Sequence, residues 1–591
     1  MSQHMNTNSL VLILAAMVAC IILPGNIQGQ RPLDIDEIQV IAPYEPSISD
    51  AFKINMNPSI EDTARVQIDF DYRISPRMIH TRYELEPITP ARMRGEPLTR
   101  LYPGLVKGGF GNYQTPYFEG FYNSLRSGDY SYGIHLRHIS SGEEVQGIPH
   151  SVFSQNKAGL HATRYYGHHA LSGGILYNRH VVHYYGLPFP PGDAGNDPKN
   201  PMPVIPPSAS DIRQRYELLS SHLAHGSHHS DSTSIVHEIR LRHHWLSDRY
   251  NSHEHQFELT GHIGRETGMD PFGLARKQYL ELGLEASHYY NRHVLDTAHT
   301  GVYTLSPRVH SYFDRLTFYL GGHVAFENDQ GDFSLRAHPL AGVKVDVLPE
   351  RLTATLDISG GVERVSWKSL SDLNPFVMPA PPLAFSNVRS RISGGVHGSL
   401  NGRLSYHLHL NHSQVDNHPF FVRVLAHDGH LVGYPGLSWL YPFVVVYDDI
   451  SIMHAQAQLS SRWGQRFKLR LRGDWYDYSM GEQERAWHQP ALLLSLNASY
   501  NIQDKIILTA DLYGRGKSYG AVYESFVIPV APQQHKLHDF YVDANLGIEY
   551  RYTKRLSVFL NFTNIANDPY EKWLHYPQQG FGFMGGASFA F

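Results

Sequence analysis

Eleven residues, Phe581 to Phe591, constrain the fold of this chain more than any other stretch. Phe581, Phe583, Gly585, Ala587, Phe589 and Phe591 alternate with Gly582, Met584, Gly586, Ser588 and Ala590. A strand sends successive side chains to opposite faces, so the segment reads as a strand with one greasy and one small-residue face. Left open, such an aromatic edge would template aggregation, and a sheet that closes on itself removes the edge. In a lipid bilayer a closed barrel is the only sheet in which every backbone group is paired. The expected fold class is therefore all-β, a transmembrane antiparallel barrel.

The first thirty residues supply a route to a membrane. The apolar run Leu10 to Leu23 is ended by Pro24-Gly25. It suits a secretory signal and is too short to span. Cleavage after Gly29 would leave Gln30 first and make 1–29 a signal peptide. The one cysteine, Cys20, lies inside this run, and Met17-Val18-Ala19-Cys20 is a poor lipobox. The mature chain would then hold neither disulfides nor thiolate metal sites. Mean hydropathy is −0.34 and no later stretch has the apolar length of a membrane helix, as expected for strands that alternate apolar and polar residues. The 37 tyrosines would serve interfacial girdles. A net charge of −5 gives no argument for nucleic acid as a partner.

A repeated turn carries the barrel reading along the chain. Tyr312 to Leu316, Leu348 to Leu352, Leu400 to Leu404, Trp463 to Phe467, Ile502 to Ile506 and Tyr552 to Leu556 share one form: apolar or aromatic, a few polar residues, a basic residue, apolar. Their last apolar positions are spaced by 36, 52, 63, 39 and 50 residues. Two spanning strands of about 10 residues each fit every interval, with short periplasmic turns at one end and long extracellular loops at the other. Four further turns, at Ser127-Gly128-Asp129, Tyr166-Gly167-His168, Gly226 to Ser232 and Gly264 to Arg276, bring the total to ten. If the first strand begins near Val106, that makes about 22 strands. The barrel is assigned to 105–591, with Gly186 to Ser210 and Leu373 to Asn387 as outer loops. Residues 30–104 form a periplasmic or lumen-entering extension able to dock a periplasmic or outer-membrane partner.

The tail from Arg555, RLSVFLNFTNIANDPYEKWLHYPQQGFGFMGGASFAF, resembles the last two strands of TonB-dependent receptors. Asn561, Asn564, the turn Asn567-Asp568-Pro569-Tyr570, Tyr576-Pro577 and the Gly-rich strand to Phe591 carry the likeness. The resemblance implies an outer-membrane barrel, localised to the outer membrane of a Gram-negative cell and devoted to transport. It also implies that Phe581, Phe583, Phe589 and Phe591 form the signal read by the barrel-assembly machinery. Family members carry a plug of well over a hundred residues, and here about 75 residues precede the first strand. A full plug is therefore not expected.

The search for chemistry is mostly negative. There are 38 histidines, dense around His222, His225, His228 and His229, and around His243, His244, His253 and His255. Imidazole clusters bind Zn²⁺, Cu²⁺ or Ni²⁺, yet these lie on many strands without carboxylate or thiolate partners at ligand spacing, so no metal site is assigned. Gly514-Arg515-Gly516-Lys517-Ser518 lacks the first Gly of a phosphate loop, at Asp511, and ends a strand rather than opening a helix. There is no Gly-x-Ser-x-Gly elbow and no Cys nucleophile. No catalytic residue, cofactor or enzyme activity is assigned. Arg137, Arg240, Arg242, Lys468, Arg470 and Arg472 are expected in the lumen, together with Glu238, Glu281, Glu285, Asp474, Asp511, Asp543 and Glu549. So mixed a lining predicts no strong ion selectivity.

The expected function is a porin-like channel or transport component for an unidentified solute; the alternative is a non-transporting scaffold subunit of an outer-membrane complex. A lumen this wide leaks unless loops, the N-terminal extension or a partner occlude it.

Overall fold

A computed structural model describes residues 100–145, 148–186, 208–227, 234–268, 275–293, 296–424, 442–523 and 531–591. The signal peptide and nearly all of the 30–104 extension lie outside the described residues.

Alternation along each strand produces one closed antiparallel sheet of 22 strands. Consecutive strands follow one another round the wall. The first, β1 (Gly104–Gly111), pairs on one side with β2 (Thr115–Asn123) and on the other with the last, β24 (Gly582–Ala590). At the seam Val106 faces Phe589 and Phe110 faces Gly585. Gly104 and Phe591 exchange both backbone hydrogen bonds, each 3.0 Å long. Among the described residues, β22 (Glu571–Trp573) and β23 (Tyr576–Pro577) alone leave the wall, as a small hairpin.

The repeated turns are the inner connections. Tyr312 to Leu316 joins β10 (Thr297–Tyr312) to β11 (Leu316–Asp329), and Trp463 to Phe467 joins β16 (Phe443–Trp463) to β17 (Phe467–Met480). Left-handed backbone closes several of them, at Gly464 (φ 59°), Glu350 (φ 63°) and Gln503 (φ 51°). The turns at 127–129 and 166–168 also join strands; parts of those at 226–232 and 264–276 lie outside the described residues. The outer connections are less uniform than the sequence pattern suggests. Gln330-Gly331 alone joins β11 to β12 (Asp332–Leu348), with Gly331 at φ 106°.

The two faces of the wall differ in chemistry. On β9 (Lys277–Arg292), Leu280, Leu282 and Leu284 are exposed, while Glu281 and Glu285 point the other way. Leu320 is 62% exposed and Phe333 78%. Moving such a side chain out of water is worth about 2 kcal/mol, so a belt of them requires an apolar surrounding. Tyr166, Trp463, Tyr500 and Tyr552 stand at the turn end of this belt as an aromatic girdle. No helix among the described residues is long and apolar enough to cross a membrane; the strands cross instead.

Candidate transport lumen and its outer closure

The lumen side of the wall is polar, with charges of both signs set close together. The charged residues expected there alternate with outward apolar ones, as with Arg240 and Arg242 beside Ile239 and Leu241. Several find opposite partners at once: Arg240 with Glu238 at 2.6 Å, Arg242 with Glu258 at 2.6 Å, and Arg472 with Asp474 at 2.7 Å. Glu281 meets His310 at 3.1 Å, Asp511 accepts from Asn497 at 2.6 Å, and Asp543 accepts from Tyr570 at 2.9 Å. Paired charges set no single-sign field across the pore.

At the outer mouth side chains pack into a core that the strand pattern did not reveal. A buried apolar cluster joins Tyr184, Ile212 and Tyr216 to Val365, Trp367, Leu370, Phe376 and Val377, and to Phe443, Trp573, Leu574 and Tyr576. These residues lie at the outer ends of distant strands and in the loops between them. The Phe376 and Tyr576 rings stack at 3.8 Å; Tyr184 donates to the Val377 carbonyl at 2.8 Å and Tyr216 to that of Pro375 at 3.0 Å. The wall itself bends inward here: the end of β15 (Leu404–Val424) pairs in parallel with the end of β19 (Ile506–Tyr523), although three strands separate them in sequence.

One short helix anchors the closure to the wall. In α1 (Trp367–Leu373) the Ser366 hydroxyl caps the amide of Ser369 at 3.1 Å. The backbone amides of Trp367 and Lys368 donate to the Glu254 carboxylate at 2.8 and 2.9 Å. Glu254 starts the buried end of β8 (His253–Thr267), is 0% exposed, and also accepts from Asn291 at 2.8 Å. A carboxylate at a helix N-terminus is favoured by the unsatisfied amides and their dipole.

Arg423, 1% exposed, holds the other side. Its guanidinium donates to the carbonyls of Gly186 and Leu574 and to His575 Nδ1, and lies 5.7 Å from the Phe443 ring centroid. Accepting from Arg423 requires a lone pair on His575 Nδ1, so that imidazole is neutral. His488 is fixed in the same state: its Nδ1–H donates to the Phe421 carbonyl at 3.1 Å, and its Nε2 accepts from the Leu574 amide at 3.3 Å. Burial, reinforced by nearby arginines, holds both histidines down to about 3. Asp248, in the outer turn before β8, moves the opposite way. Burial pushes it up to about 7, although the amides of Tyr250 and Ser252 donate to it.

Beneath α1 lies a cavity of about 620 Å³ against the wall. Lys157, His161, His222, Arg242 and Glu258 line it from the strands, and Lys368 from the helix. The arrangement is a cavity lined by charged and aliphatic side chains beneath a buried apolar cluster. Of these, alternation marked only Arg242 as a lumen residue in the sequence. The lid was not legible, because α1 spans under two turns and its burial comes from other loops; Ser366 three residues before Ser369 was the available signal. Phe581, Phe583, Phe589 and Phe591 lie exposed on the outer face at or beside the closing strand.

Neither a known family profile nor a curated protein sequence matches the chain. Solved structures do. The pyoverdine outer-membrane receptor FpvA of Pseudomonas aeruginosa matches with a TM-score of 0.60 at 14% identity, over 84% of this chain and 79% of that one. The FrpB iron transporter of Neisseria meningitidis gives 0.61 at 9% identity, over 84% and 82%. The ferric-catecholate import receptor Fiu of E. coli gives 0.56 at 10%, over 83% and 82%. The chain has the fold of the TonB-dependent outer-membrane receptors, a closed antiparallel barrel of 22 strands among the described residues.

Proposed function

We propose that the protein admits a polar solute across the outer membrane, with the apolar lid as its resting closure. The observation that carries this reading is the order of the lumen: a buried apolar core at the outer mouth beside a cavity into which Lys157, Arg242, Glu258 and Lys368 bring charge. A lid that buries apolar surface is reversible at a cost set by that burial. A chamber with paired charges of both signs suits a solute recognised by many weak polar contacts. The similar receptors take pyoverdine, iron or ferric catecholate by their descriptions, and a polar metal chelate is the solute class we place in this chamber. The barrel-assembly machinery would read Phe581, Phe583, Phe589 and Phe591, and residues 30–104 would meet a periplasmic partner. No observation on the described residues favours the scaffold alternative.

Planar-bilayer conductance tests the reading. Four proteins are compared: the full mature chain, a chain lacking 30–104, and each of these carrying Trp573→Ala with Tyr576→Ala. The lid variants are expected to conduct and the intact lid to stay closed. Silence of all four folded barrels would overturn a transport lumen.

A further inference from the structure

The outer face of the wall carries a separate chemistry at its turn end. His169 opens β5 (His169–His183), His225 lies two residues from the end of β6 (Arg213–Ser227), and His237 is the second residue of β7 (Val236–Ser247). Register pairs His225 with Leu171 on one side and with Ile239 on the other. His169 and His237 are the next residues on that same face, one step toward the turns. The three imidazoles therefore cross three strands together, below the exposed Leu171, Leu223 and Ile239 of the apolar belt.

Their geometry is that of a ligand set. One ligating nitrogen from each lies within 4.8 Å of the other two. His237 Nε2 is 3.2 Å from His225 Nδ1. Ring centroids stand 5.3 Å apart for His169 and His225, and 5.1 Å for His225 and His237. A tetrahedral ion with nitrogen bonds of about 2.0–2.1 Å places its ligand nitrogens about 3.4 Å apart. One pair already stands near that separation, and rotation of half-buried side chains closes the third. Three neutral imidazoles suit zinc, copper or nickel, whereas calcium and magnesium prefer oxygen. Spacing along the sequence could not reveal the set, because 56 residues separate His169 from His225 and only the sheet register brings them together.

We propose that His169, His225 and His237 bind one divalent transition ion at the inner rim, on the outer surface, with water completing the shell. Bound there, the ion ties the turn that precedes β5 to the turn that precedes β7. The site lies on the opposite face from the lumen, so it stands or falls independently of the transport reading.

The test uses the full mature protein in detergent micelles, freed of metal by a chelator. Substoichiometric Cu²⁺ is followed by electron paramagnetic resonance, and Zn²⁺ by competition. The expected result is one tightest site whose spectrum shows several nitrogen ligands. Losing a supporting group near a metal typically costs about 10–100-fold in affinity, so His225→Gln and His237→Gln should each weaken this site by at least about 100-fold. His222→Gln, on the lumen face of the same strand, should leave it unchanged. Each variant is first shown to fold by its heat-dependent mobility in SDS gels, and His169→Gln replaces any that does not. The proposal is overturned if the tightest site keeps its affinity and spectrum in the folded variants, or if His222→Gln is the substitution that removes it.

Discussion

His488 and His575 show how single residues set the behaviour of the lid. Both are neutral because each uses a ring nitrogen as an acceptor, His488 toward the Leu574 amide and His575 toward Arg423. Their folded pKa lies below the ordinary value of a free histidine, so the opened lid takes up protons first as pH falls. Their contribution is intact above about pH 6.5 and is lost progressively down to about 3. One pKa unit is worth 1.36 kcal/mol, so at pH 5 the fully buried His488 costs the lid on the order of 2 kcal/mol. Asp248 works against this trend, since its raised pKa favours the fold as acid is added. Conductance of the chain lacking 30–104 should therefore rise on acidification, and His488→Asn should flatten the rise. An identical pH profile in the variant would refute the assignment. Arg423→Ala leaves two buried carbonyls and an imidazole without their donor. Unsatisfied buried groups cost about 1–3 kcal/mol each, so this variant should open the lid without unfolding the barrel, read as conductance with unchanged resistance to SDS.

At the scale of the element, the inner turns were legible and the outer closure was not. Polar turn residues followed by a basic and an apolar residue recur because each inner turn solves one local problem, reversing a strand at an interface. Outer loops answer to tertiary packing, which leaves no period. The missed helix α1 is the clearest instance: seven residues carry too little of a 3.6-residue pattern, and its anchor, Glu254, is 113 residues away from Trp367. The seam between β1 and β24 gives a sharp test. A side chain at Gly586 would overlap the Gly108 carbonyl oxygen and the Phe559 ring, whereas one at Gly585 meets the movable Leu560 side chain at 3.3 Å. Overpacking against rigid neighbours costs typically about 1–3 kcal/mol. Gly586→Val should cut the yield of SDS-resistant barrel severely, and Gly585→Val should not. Equal yields would contradict closure of the ring by these two strands.

For the whole molecule, alternation predicted the class and the charged inner face, because both follow from which face meets which solvent, and the count of short turns predicted the strand number. The sequence could not foretell the core built where outer strand ends and loops meet, since that depends on contacts between strands far apart in the chain. The closing strand also carries the expected assembly signal. Phe591→Ala should lower outer-membrane yield in cells while leaving refolding into detergent micelles intact; parallel losses in both would assign Phe591 to stability alone. The most direct measurement of the central claim is sedimentation of the mature protein above and below the critical micelle concentration of its detergent. Because the exposed leucines and phenylalanines are matched to hydrocarbon, the barrel should sediment as one species only with micelles present and aggregate once they are removed. A single monodisperse species in plain buffer would contradict the account.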